Sequence, residues 1–196
     1  MSETKINLKG DGESTMRTIL EGERLRLRPL EESDEDAVYE GARHEEIARY
    51  TLRIPHPYPR ESCLPFIKRK IAEFKEGKAY SFAVELEGKL IGIVGLHDFS
   101  ATDKSAKIGY WLNKDYWGKG YATEATRLAL EFAFEDLGLH RVEGGAFAEN
   151  KASQRVQEKL GFKREGVRRE AIYRNDSWHD RVVMGILASE FKRGRA

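Results

Sequence analysis

The chain has 196 residues, 40% hydrophobic and 34% charged, with a formal net charge of +1. This length suits one domain with a substantial core and is short for two, and the near-neutral balance excludes a broad basic field for nucleic acid. Apolar runs such as 90–96 are too short to span a bilayer, and the polar first 15 residues lack the apolar stretch of a signal peptide.

Cys63 is the lone cysteine, with no disulfide partner and no Cys or His at metal-ligand spacing. Together these features point to the cytoplasm.

Residues 1–20 lack periodicity and are expected to form a flexible leader. Leu25, Leu27 and Leu30 interleave with Arg24, Arg26 and Arg28, as in a strand with one polar face. Ser33 can cap a helix over 34–43, and the prolines of 54–59 require an extended loop. Leu64, Ile67, Ile71 and Phe74 give 61–75 a helical apolar face. Strands over 80–86 and 89–99 flank the hairpin turn Glu87-Gly88, and a third follows over 106–112. A helix over 120–136 carries Ala122, Ala125, Ala129, Phe132 and Ala133 on one face and stops at Gly138. A strand over 141–148, a short helix over 151–160 and strands over 162–173 and 178–187 complete the chain. The order β α α β β β α β α β β describes a mixed α/β (α+β) domain with an antiparallel first half, not a repeating βαβ array.

Gly118 and Gly120 flank Lys119 between a strand and the start of a helix. Glycines let backbone approach a ligand, and a helix N-terminus presents unpaired N–H groups with partial positive charge, so the turn suits a phosphate. An ordinary strand-to-helix turn is the plain alternative. A Walker A loop fails, because Gly120 follows Gly118-Lys119 where Ser or Thr is needed, and Asn113 and Lys114 stand where an earlier glycine belongs. A dinucleotide fingerprint fails at Thr123, where Gly or Ala is required. A third phosphate reading is the diphosphate of coenzyme A.

Ile108-Gly109-Tyr110-Trp111-Leu112 followed by Tyr116-Trp117-Gly118-Lys119-Gly120-Tyr121-Ala122-Thr123-Glu124-Ala125 resembles the acetyl-CoA motif of the GNAT superfamily, in its branch of ribosomal-protein N-terminal acetyltransferases. That signature runs Gln or Arg, two residues, Gly, one residue, Gly or Ala. Gly120 and Ala122 fit, and Trp117 replaces the first position, as is usual in the branch. Asn150-Lys151-Ala152-Ser153, Lys159-Leu160-Gly161-Phe162 with Glu165-Gly166, and Trp178-His179-Asp180 extend the match over residues 23–191. The resemblance implies a GNAT acyl-CoA N-acyltransferase fold: a central mixed, largely antiparallel sheet flanked by about four helices. It sets one domain at 21–191 and leaves 192–196 as a basic tail.

The resemblance also implies roles. Acetyl-CoA would be the cosubstrate, held by backbone at Trp117, Gly118, Lys119, Gly120, Tyr121, Ala122 and Thr123, by the opened strand edge Tyr110, Trp111, Leu112 and Asn113, and by Asn150 and Ser153. Ser153 is the expected proton donor to the leaving sulfur, although Asn150 and Ser153 also read as a helix cap and first-turn hydroxyl. The branch's proposed basic Glu falls on Ile172. Glu170, two residues earlier and so on the same strand face, is the candidate catalytic carboxylate, with Glu143 a weaker one. Tyr50, Tyr58, Tyr80 and Phe82 fall where the family forms its acceptor cleft. No metal is expected, because the five histidines make no ligand motif. The expected acceptor is a protein N-terminal amine; a small amine and a non-catalytic acyl-CoA-binding module are the alternatives. No nucleic-acid or membrane partner is expected, and a homodimer is left open.

Overall fold

A computed structural model describes residues 16–192 of the chain. Its strands are β1 (Leu20–Glu21), β2 (Leu25–Pro29), β3 (Tyr80–Leu86), β4 (Lys89–Ser100), β5 (Ser105–Leu112), β6 (Arg141–Phe147), β7 (Lys163–Arg174) and β8 (Ser177–Leu187). Its α-helices are α1 (Glu35–Ala42), α2 (Glu45–Arg49), α3 (Cys63–Lys75), α4 (Tyr121–Glu131) and α5 (Lys151–Lys159). All strands join one sheet in the order β1-β2-β3-β4-β5-β6-β8-β7. Every neighbouring pair is antiparallel except β5 and β6. The mixed, largely antiparallel sheet is therefore as expected, with α2 an additional helix too short to leave a periodic signal.

Side-chain alternation divides the core between the two faces of the sheet. On β3, Tyr80, Phe82 and Val84 point to the same cluster as Ala125, Leu128 and Ala129 of α4. Ala83 between them joins Val38 of α1 and Cys63 and Ile67 of α3 on the other face. The alanines of α4 let the helix lie close to the sheet, and it ends in one wide turn, Phe132–Asp136. Phe132 sits edge-on to Tyr80 and Phe82, with ring centroids 5.1 and 5.2 Å apart. Tyr80 and Phe82 are thus core residues, 5% and 0% exposed, and not walls of an acceptor cleft.

Two local expectations give way to tertiary contacts. Ser33 does not cap α1: a 3-10 turn, Glu32–Asp34, precedes the helix, with Glu31 as its cap residue. The Asp34 carboxylate accepts the Glu31 N–H at 2.8 Å and binds Arg28 through both oxygens. The first 15 residues of the expected leader lie outside the described residues. Of the remainder, Met16 packs against the core, Arg17 Nε donates to Asp136 at 2.9 Å, and Leu20 is buried in β1. Of the expected basic tail, only Lys192 is among the described residues.

Phe132→Ala removes the ring that joins α4 to the aromatic cluster. It is expected to lower stability by about 3–5 kcal/mol, read as a large drop in the urea midpoint.

Candidate active site

Parallel pairing of β5 with β6 covers only Ser105↔Arg141, Ala106↔Val142 and Lys107↔Glu143. Past this point β5 stays on β4 as far as Leu112↔Gly92, and β6 stays on β8 as far as Phe147↔Arg181. The two middle strands of the sheet therefore part. The Asn113 N–H donates to the Ile91 carbonyl at 2.8 Å, which sets the parity of the β5 ladder. Trp111 and Gly109 share Asn113's orientation toward β4, while Tyr110 and Leu112 turn their backbone groups into the gap. The Leu112 carbonyl accepts Trp117 Nε1 at 2.7 Å. The Leu112 N–H and both backbone groups of Tyr110 still face the opening.

The strand leads into the glycine turn. Asn113 Oδ1 accepts the Asp115 N–H at 3.2 Å and starts a short 3-10 turn, Lys114–Tyr116. Gly118 and Gly120 follow with φ of 76° and 82°. A Cβ at Gly118 would meet nothing within 4 Å, and one at Gly120 only Arg24 Nη2 at 3.4 Å. Backbone conformation, not crowding, selects these glycines, and the turn is left bare on its outer side. The first bond of α4 is Glu124 N–H to the Gly120 carbonyl at 3.1 Å. The N–H groups of Tyr121, Ala122 and Thr123 precede it and have no partner within the helix.

Lys119 is exposed, but its ammonium folds back along the surface. Its Nζ donates to the Asp115 carbonyl at 3.0 Å and lies 5.5 Å from the Tyr116 ring centroid. Arg24, which the strand alternation concealed, reaches the turn instead. Its Nη1 donates to the Lys119 carbonyl at 3.0 Å, its Nε to Glu124 Oε2 at 2.8 Å, and its guanidinium lies 4.8 Å over the Tyr121 ring. Glu124 is only 5% exposed and also accepts the N–H groups of Arg24 and Leu25 at 2.7 and 3.0 Å. A buried Glu in the first turn of a helix was the available signal.

The other side of the gap is built at the start of α5. Asn150 caps the helix, its Oδ1 accepting the Ser153 N–H at 3.0 Å. Ser153 Oγ lies 2.9 Å from Tyr110 Oη and accepts from Gln157 Nε2 at 3.3 Å. A hydroxyl pair thus spans from β5 to the helix that follows β6. Gln157 is 1% exposed, and a Cβ at Gly144 would come within 2.1 Å of its Oε1, so a side chain at 144 would displace the Gln157 amide. Burial pushes the Tyr110 phenol up to about 12, against the opposing pull of its hydrogen bonds to Ser153 and Gln157.

The remaining candidates lie elsewhere. Trp111 sends its ring to the opposite face, where it packs against Gly41 of α1. Glu170 does not share a face with Ile172: the β7 register jumps from Arg168↔Arg181 to Ile172↔His179, and this bulge breaks the period of two. Ile172 is buried, whereas Glu170 is exposed with φ of 46°, its N–H donating to Asp180 at 2.9 Å. An open cavity of about 550 Å³ is lined there by Arg169, Glu170 and Asp180. Glu143 lies 3.8 Å from Arg181, and Asp98 pairs with His97 and Lys107. Tyr50 packs on Phe147, and Tyr58 stacks on Tyr39. Among the described residues there is no cluster of three or more His, Cys, Asp or Glu able to hold a metal, and no helix long and apolar enough to cross a membrane.

The mixed sheet thus opens between two parallel strands, with a bare glycine turn at its mouth and a hydroxyl pair across it. Residues 24–163 match the Acetyltransferase (GNAT) domain, and the chain belongs to this family and is an N-acetyltransferase. It is 35% identical over 133 residues to YdaF, a candidate ribosomal N-acetyltransferase of Bacillus subtilis, covering 68% of this chain and 71% of the relative. It is 25% identical to the spermidine N(1)-acetyltransferase of Escherichia coli, over 85% of this chain and 88% of the relative. The structure of Mycobacterium smegmatis RimJ in complex with CoA-disulfide superposes with a TM-score of 0.79 at 25% identity, covering 87% of this chain and 85% of that one.

Burial of the Tyr110 phenol supplies a test. Its folded pKa, about 12, lies above the usual value near 10. The stability it contributes is therefore complete below pH 10 and lost as pH rises through 12. Tyr110→Phe is expected to remove the last tyrosine to ionise, seen by absorbance at 295 nm, and to flatten the fall in stability across that window.

Proposed function

We propose that the protein transfers the acetyl group of acetyl-CoA to the N-terminal α-amino group of a protein, by direct attack while both substrates are bound. The observation that carries this reading is the parting of β5 from β6, with the Gly118–Gly120 turn and the start of α5 on its two sides. The residues present fit the cosubstrate: the turn is bare and left-handed at both glycines, and an extended arm can take the place of the missing strand pairing. The RimJ structure with CoA-disulfide supports the same donor.

When bound, acetyl-CoA supplies an acetyl thioester. The N–H groups at 121–123 and the positive end of α4 would hold its diphosphate. The Tyr110 and Leu112 backbone groups orient the pantetheine arm, and an N–H in the gap stabilises the negative charge that develops on the carbonyl oxygen. As the carbon–nitrogen bond forms and the carbon–sulfur bond breaks, Ser153 would give its proton to the sulfur and regain the one released by the attacking amine through water. Gln157 Nε2 donates to Ser153 Oγ, and between Tyr110 Oη and Ser153 Oγ either hydroxyl can donate; with Tyr110 as the donor, the Ser153 proton is free to point into the gap. An α-amine with a pKa near 8 is about one-tenth neutral at pH 7, against well under a thousandth for lysine. It needs no strong base, so its proton can leave to water.

The similarity to YdaF supports an N-terminal, ribosomal-protein acceptor. The similarity to a spermidine acetyltransferase is the observation that favours a small amine. Thiol release measured over free N-terminal peptides, spermidine and aminoglycosides separates the two. Turnover of the peptides is expected; turnover of small amines alone overturns the protein acceptor, and binding of acetyl-CoA without release on any amine overturns the catalytic reading.

Gly120→Glu places a side chain on a φ of 82° and a carboxylate at the anion site. It is expected to abolish acetyl-CoA binding in calorimetry while the circular dichroism spectrum is kept. Normal binding by this variant would overturn the assignment of the turn.

A further inference from the structure

The family match leaves open which side chain supplies positive charge to the diphosphate site. Lys119 stands in the turn, but its ammonium is bound back to the Asp115 carbonyl and Tyr116. The guanidinium that does border the turn comes from Arg24, 95 residues away in sequence. Three contacts fix it there: Nε on the buried Glu124 carboxylate, Nη1 on the Lys119 carbonyl, and the face of the Tyr121 ring. Nη2 is the nearest atom to the space beside Gly120, 3.4 Å from where a Cβ would lie. The Arg24 side chain is 45% exposed, and its Nη2 lies beside the Gly120 turn. Glu124 Oε1 is already engaged by two backbone N–H groups, and Oε2 takes only Nε. The carboxylate therefore orients the guanidinium and leaves the Nη2 hydrogens uncommitted. An arginine ordered in advance by such contacts gives up little freedom on binding an anion.

Resting on the acetyl-CoA reading, we propose that Arg24 is a diphosphate-binding residue of this protein, which also fixes the shape of the turn through the Lys119 carbonyl. Its role is confined to the diphosphate end of the donor. The thioester end lies with Tyr110, Leu112 and Ser153.

The test compares the binding of coenzyme A and of pantetheine, which has the thiol arm but no diphosphate, by calorimetry to the wild type, Arg24→Gln and Arg24→Lys. Arg24→Gln is expected to weaken coenzyme A by about tenfold or more, the scale of one charge-assisted hydrogen bond. Pantetheine affinity is expected to stay unchanged. Arg24→Lys restores the charge but cannot span Glu124 and the Lys119 carbonyl together, and should recover part of the loss. Equal weakening of both ligands shows a structural role alone and overturns the proposal, as does unchanged coenzyme A affinity in Arg24→Gln. If Arg24→Gln fails to hold the wild-type unfolding midpoint, Arg24→Lys carries the same comparison. A wild type that binds the two ligands equally would overturn the acetyl-CoA reading itself, and the role of Arg24 with it.

Discussion

The parting of β5 and β6 is the constraint on which the rest of the structure depends. A sheet interior satisfies its backbone groups by pairing, and buried groups left without partners carry a cost comparable to a lost hydrogen bond. Here the ladder stops after Lys107↔Glu143, and the inward groups of Tyr110 and the Leu112 N–H face open space. The protein satisfies one of the exposed groups itself, with the Trp117 indole on the Leu112 carbonyl. What is left is a short strand edge, accessible from one end, which suits an extended polar arm better than a compact ligand.

Because β5 and β6 run parallel, both deliver their following elements to the same end of the sheet. The glycine turn and α4 follow β5; Asn150 and α5 follow β6. Crevices at the carboxyl ends of neighbouring parallel strands are the usual ligand sites of open sheets. In this chain the single parallel pair creates such a crevice inside an otherwise antiparallel sheet. The Tyr110–Ser153 hydroxyl contact spans it at 2.9 Å, so the separation of the strands is bridged by side chains where backbone pairing is absent.

Much of this was legible in the sequence, because it rests on local signals. The two glycines before a helix of small residues, the Asn150 cap and the hairpin turn at Glu87-Gly88 each follow from backbone preference over a few residues. The missing parts depend on contacts far apart in the chain. Alternation predicted that Glu170 and Ile172 share a face, but a bulge opposite Asp180 shifts the phase, and nothing in 168–172 announces it. Tyr80 and Phe82 were expected at the acceptor cleft, and their place in the core depends on packing against the distant Phe132. Ser33 is a good cap by residue type and loses to Asp34, which also binds Arg28.

Arg24, just before β2, and Arg26 and Arg28 within it show the same limit and also tie the site to the sheet. They alternate with leucines as a solvated face would, yet each is engaged by a carboxylate. Arg24 meets Glu124 of α4, Arg26 meets Glu21 and Glu85, and Arg28 meets Asp34 and Glu85. Glu124 and Asp34 are both buried, and each also accepts backbone N–H groups. A buried ion pair gains little net stability over an apolar one, but losing one partner leaves a charge stranded. These pairs therefore act less as a source of stability than as a restraint on register. One slip of β2 would move every arginine to the core face and leave two buried carboxylates without partners. The strand is thereby locked to α4 at one end and to the segment leading into α1 at the other. The helix whose N-terminus forms the anion site is held to the sheet by the same contacts that place Arg24 beside it.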